Sequence, residues 1–207
     1  MRPAVMVDAA AGLASVTDRA GSRPGCVPRG RIVGVRHPTG GGSIPMSTPT
    51  TVLGEVRPEH DCPRGSILVT LHYQRSFPLP IGTVWAAVTE PDVLARWYGR
   101  WTGDPSSGRV RLTMTDEHDS ATTDVTIVEC TGPRSLVVDQ DGWRLELQLR
   151  QVGRVTTLEF LHRHVPRSEV AEIGPGWQYY LDRLGALLVG QREPHWADYP
   201  ELGESYR

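Results

Sequence analysis

Lysine and asparagine are absent from the 207 residues, so all 22 basic side chains are arginine. Without lysine there is no Schiff-base nucleophile and no P-loop ammonium group. Only three cysteines occur, Cys26, Cys62 and Cys130, odd in number and widely separated. Such spacing suits neither a disulfide framework nor a cysteine zinc site, and free thiols in a reducing cytoplasm are the expectation. No apolar run approaches the roughly 20 residues of a membrane span, and Asp8 interrupts the apolar run near the start, which argues against a secretory signal. A net charge of −2 gives no pull towards nucleic acid or acidic membranes. No serine sits in a nucleophile elbow, and no glycine-rich loop joins strand to helix as a phosphate cradle.

What is present divides unevenly. Residues 1–45 hold eight Gly, five Pro and six Arg against two Asp, while residues 46–207 hold sixteen Arg and 22 acidic side chains. Neither a helical nor a strand period is sustained at the start, so residues 1–60 are expected to form a disordered Gly/Pro/Arg-rich extension. The composition shift makes Met46 a candidate initiator. The competing expectation is a basic tail that contacts a partner. A folded domain is expected over residues 66–190, followed by a tail, 191–207, that packs back locally.

Residues 75–99 organise that domain. Pro80 opens a helix whose positions Ile81, Val84, Trp85 and Val88 share one face. Glu90-Pro91 breaks it, because a residue before proline avoids the α region, and Pro91 with Asp92 starts a second helix. Leu94, Trp97 and Tyr98 form its apolar face, and Gly99 is expected to close it in the left-handed conformation. Strands are expected over residues 67–74, 109–115, 122–130, 136–140, 143–150 and 155–164, with a hairpin at Asp141-Gly142. Residues 101–108 read as a loop and 116–120 as a charged turn. The strand at 143–150 alternates Trp143, Leu145, Leu147 and Leu149 with polar residues, as in an antiparallel sheet covered on one side. A last helix is expected over residues 175–189, stopped by Gly190. Its apolar stripe is Trp177, Tyr180, Leu181, Leu184, Leu187 and Leu188, with Gln178, Asp182 and Arg183 off it.

Arg75, Phe77, Pro80, Val84 and Trp85, followed by Thr89, Pro91, Leu94, Trp97, Tyr98 and Gly99, resemble the opening signature of the SRPBCC (START/Bet v 1-like) superfamily. The branch it is most similar to is the one named for the C-terminal domain of the activator of Hsp90 ATPase. Leu158, Phe160 and His162 resemble a later strand of that family, and Gly176, Trp177, Leu181 and Leu184 its last helix. The resemblance implies an α+β helix-grip fold, in which a curved antiparallel sheet wraps a long C-terminal helix and two short helices follow the first strand. It also implies a space between helix and sheet.

Candidate ligand-binding residues for that space are Trp97, Tyr98, Trp101, Leu145, Leu147, His162, Trp177, Tyr180, Leu181 and Leu184. Trp101 stands out because a loop position does not oblige burial. His162 can donate or accept one hydrogen bond in an apolar surrounding. His162 and His164 are expected on one strand face, where two imidazoles could begin a metal site, but no third ligand has suitable spacing. No metal, cofactor or catalytic residue is therefore expected. Three functions stay open: binding of a small hydrophobic molecule, a polyketide cyclase/aromatase-like enzyme using His162 or Tyr98, and a co-chaperone-like protein-interaction domain.

Overall fold

The computed structural model describes residues 53–60, 67–115 and 122–207. Most of the N-terminal extension and the acidic turn at 116–120 lie outside those residues. Eight strands form one antiparallel sheet in the order β1-β2-β8-β7-β6-β5-β4-β3. They are β1 (Glu55–Pro58), β2 (Leu68–Phe77), β3 (Gly99–Thr102), β4 (Arg109–Met114), β5 (Thr122–Thr131), β6 (Ser135–Gln140), β7 (Trp143–Val152) and β8 (Val155–Pro166). Two short helices, α1 (Ile81–Thr89) and α2 (Pro91–Leu94), follow β2, and a long helix, α3 (Val170–Val189), follows β8. Leu71, Val84, Leu158, Leu181 and Leu184 meet almost without solvent contact in the core between α3, the short helices and the sheet. This is the helix-grip α+β fold that the sequence leads one to expect.

The local reasons are those of the sequence. Glu90 is the C-cap of α1 and the N-cap of α2, held extended at φ −79° and ψ 126° by the proline that follows. At the β6–β7 turn Asp141 and Gly142 both take positive φ, 52° and 85°, as a two-residue hairpin requires. Arg75 of the opening signature reaches across to α3, where its guanidinium donates to Asp182 Oδ1 at 2.9 Å.

Five expectations are corrected. β1 lies within the segment expected to be extension, because its residues 55–58 complete the edge of the sheet against residues 69–72 of β2. Trp101 belongs to the edge strand β3 and not to a loop. Gly99 is the first residue of β3 rather than a left-handed helix stop. Its smallness is needed for a different reason, since a Cβ there would lie 2.7 Å from the Thr113 carbonyl oxygen of β4. Helix α3 begins at Val170, five residues before Pro175. Pro175 thus lies inside the helix, where it donates no bond to the Ala171 carbonyl and its ring crowds that oxygen, and burial of Val170 and Ile173 accompanies the extra turn. Cys130 is disulfide-bonded rather than a free thiol, while Cys26 and Cys62 lie outside the described residues.

The C-terminal segment changes the environment of α3. A 3-10 helix at Pro200–Tyr206 packs along α3, with Tyr206 buried against α3 and Tyr73 of β2. Gln178 and Arg183, expected off the apolar stripe, are consequently buried as well. Tyr206 Oη donates to Gln178 Oε1 at 3.2 Å, and Arg183 Nε donates to Glu193 at 2.7 Å. Asp182 collects Arg75, Gln178 and Tyr199 around one carboxylate. Helix α3 is thus covered on two sides.

Candidate functional site: an apolar cavity under the helix pair

A cavity of about 130 Å³ lies between the sheet, α1–α2 and α3. Strand alternation supplies its floor: Val110 and Leu112 from β4, Val125 and Ile127 from β5, Leu136, Val138 and Gln140 from β6, Leu145 and Leu147 from β7, and Phe160 from β8. The helix pair supplies Val88, Thr89, Leu94, Trp97 and Tyr98, and α3 supplies Trp177. Trp101 of β3 and Pro105 border it at the open end of the sheet.

The wall is apolar because its polar atoms are already spent. Trp97 Nε1 donates to the Ala87 carbonyl at 2.8 Å and Trp101 Nε1 to the Thr89 carbonyl at 2.7 Å. Thr89 Oγ1 donates to the Trp85 carbonyl at 2.8 Å, and Trp177 Nε1 donates to His162 Nδ1 at 3.0 Å. Tyr98 stacks between Trp97 and Trp177, with Tyr180 edge-on at 5.1 Å. Its hydroxyl donates to Gln140 Oε1 at 2.8 Å.

Gln140 is the exception. The inward alternation Leu136, Val138, Gln140 puts a carboxamide where an apolar side chain is the rule. The residue is 4% exposed. Its oxygen is taken by Tyr98, and its Nε2 group has no partner among the described residues.

Six of the expected residues therefore come together at the cavity: Trp97, Tyr98, Trp101, Leu145, Leu147 and Trp177. The other four do not line it. Leu181 and Leu184 are solid core, and Tyr180 sits behind Tyr98. His162 is buried behind Trp177, its ring 4.5 Å from that of Trp143 and tilted 37° to it. Burial, with a smaller push from His164, lowers its pKa to about 4, so it is a neutral acceptor for an indole. Nor do His162 and His164 share a face. Arg163 and His164 together oppose the single Thr70 of β2, and His164 takes φ 61° in this bulge. The bulge turns His164 outwards, where its Nδ1 lies 2.7 Å from Glu59 Oε2. Among the described residues, no group of three His, Cys, Asp or Glu could hold a metal ion. The expectation missed Gln140 and the inward faces of β4 to β6, although the alternation that places them is plain in the sequence.

Residues 78–189 match the family model described as activator of Hsp90 ATPase homolog 1-like protein, which is more than half of the chain. The chain belongs to this activator of Hsp90 ATPase homolog 1-like family. It is an SRPBCC-type domain. No curated protein matches the sequence. Among solved structures the fold is similar to that of CalU16 from Micromonospora echinospora, at 24% identity and a TM-score of 0.59, over 74% of this chain and 95% of that one. It is also similar to the protein encoded by BPP1335 from Bordetella parapertussis, at 22% identity and a TM-score of 0.56, covering 78% and 94%. DynU16, from the dynemicin biosynthetic locus, is 25% identical with a TM-score of 0.52, covering 61% of this chain and 49% of that one. No helix among the described residues is long and apolar enough to cross a membrane.

Proposed function

We propose that this member of the family is a non-enzymatic binding protein for a small hydrophobic molecule, held in the cavity beneath the helix pair. The observation that carries this reading is a cavity wall of carbon surfaces whose polar atoms, Gln140 apart, are bonded within the protein. Small-molecule sites have this character: mostly apolar, with few placed polar groups. Size narrows the ligand. An apolar cavity of about 150 Å³ stays dry and admits benzene, so about 130 Å³ suits a single-ring-sized molecule unless the lining moves. The place of DynU16 in a biosynthetic locus supports a role in small-molecule metabolism.

The enzymatic reading has less behind it. Acid–base catalysis needs a carboxylate, imidazole, thiol, amine or phenol within reach of substrate, and of these the lining contains only the Tyr98 phenol. Of the two groups that reading named, His162 does not line the cavity and bonds Trp177, while Tyr98 lines it with its hydroxyl engaged by Gln140. A protein-interaction role is the alternative if the cavity binds nothing. The cytoplasmic expectation loses the support of the cysteines, because Cys130 is disulfide-bonded and such bonds persist in oxidising compartments.

Native mass spectrometry of the full chain purified from its own cells tests the proposal. A retained small molecule is expected, and Val138→Phe, which fills the cavity, releases it. A protein that carries nothing, and whose stability does not respond to millimolar toluene, would overturn the reading.

A further inference from the structure

We propose that the ligand carries a hydrogen-bond acceptor of the carbonyl type, received by the Gln140 carboxamide, and that Tyr98 is the residue that positions it. The inference rests on the ligand-binding reading above and specifies its chemistry.

Three observations carry it. Gln140 lines the cavity and is almost wholly buried. Its oxygen is engaged by the Tyr98 hydroxyl at 2.8 Å, which leaves the two N–H donors of Nε2 as the group on offer. Water is a poor occupant for the cavity. A buried water needs two to four polar partners, and every other polar side-chain group of the lining is already bonded. A donor on an otherwise apolar wall favours a ligand that is apolar over most of its surface and accepts at one point.

Tyr98 sets the direction of that point. Its ring lies between Trp97 and Trp177, and its hydroxyl donates to the Gln140 oxygen, so the amide nitrogen is the end left over. A ligand offering only a donor meets an oxygen already in use. An aryl ketone or a related ring carbonyl matches the site, and an all-hydrocarbon ring leaves Nε2 unmatched.

Acetophenone and cumene have the same number of heavy atoms and differ in the acceptor, so they separate the two readings by calorimetric titration of the full chain. Gln140→Leu is expected to weaken acetophenone about tenfold while cumene binds as well or better. Tyr98→Phe is expected to lower the acetophenone-to-cumene affinity ratio without abolishing cumene binding, and a change confined to stability would deny its positioning role. Infrared spectra of bound acetophenone supply a second readout: a carbonyl stretch lowered by hydrogen bonding in the natural protein and relieved in the variant. Should Gln140→Leu not fold, Gln140→Met, unbranched and of similar length, takes its place. If both probes bind and the variant changes them equally, the acceptor inference fails and the binding reading stands. If neither probe binds the natural protein, both fall.

Discussion

His162 is a histidine that the fold requires to stay neutral. Burial lowers its pKa to about 4, against 6.5 for the free side chain. A folded-state pKa below the unfolded value means that the unfolded chain takes up the proton first as pH falls. Stability is therefore complete above about pH 6.5 and is lost between there and pH 4, by up to about 3 kcal/mol for this one group. His72 is shifted in the same direction by burial and the nearby Arg57, so the clean comparison is between variants. His162→Gln keeps an acceptor for Trp177 and cannot titrate in this range. Urea midpoints at pH 7 and pH 4.5 should differ less for His162→Gln than for the natural protein; equal differences would mean that His162 titrates as in the unfolded chain. Gln140 is the complementary case at this scale, a polar side chain in an otherwise apolar lining.

Among the elements, β3 and the C-terminal segment decide more than their lengths suggest. The edge strand β3 closes the cavity with Trp101, and it can pair with β4 only because Gly99 has no side chain. Gly99→Ala forces a methyl against the Thr113 carbonyl and should cost about 1–3 kcal/mol, as overpacking does, measured by denaturant unfolding. An unchanged midpoint would show that β3 can move away without loss. The segment Pro200–Tyr206 packs along α3, and Tyr206 places its ring on Gly174 and beside Tyr73 of β2 and its hydroxyl on Gln178. Tyr206→Ala should destabilise by about 3–5 kcal/mol, the range for truncating a buried aromatic. A loss below 1 kcal/mol would mean that the segment contributes little to holding α3.

For the whole molecule, the connected structure is a sheet gripping one helix, with the cavity displaced towards the β3–β6 half. The β2–β8 half is filled solidly by Leu181, Leu184 and Tyr73. That asymmetry explains why half of the apolar stripe on α3 is core while Trp177 meets empty space. A ligand that binds the folded chain alone stabilises it by RT ln(1 + [L]/Kd). Melting temperature should therefore rise with probe concentration in the natural protein and stay flat in Val138→Phe. A parallel rise in both would place binding elsewhere on the surface.

The amino-acid sequence by itself determined six of the eight strands, the three α-helices and their order. The helix break at Glu90-Pro91, the hairpin at Asp141-Gly142 and the alternation of β7 all follow from local rules of φ, turn chemistry and period. Part of the cavity wall was legible for the same reason: Trp97, Tyr98, Leu145, Leu147 and Trp177 lie on faces that alternation or helical period assigns to the interior. Only the tertiary structure decided what period cannot carry. The bulge at Arg163–His164 reverses the face of every later residue in β8, so two histidines two apart in sequence end on opposite sides. Helix α3 runs through the start expected at Pro175 because burial of Val170 and Ile173 outweighs the missing hydrogen bond and the crowding at the proline. Whether an inward residue meets a neighbour or a void depends on how two surfaces distant in sequence fit together. That fit makes Leu184 core, seats His162 behind an indole and leaves Gln140 at the edge of open space.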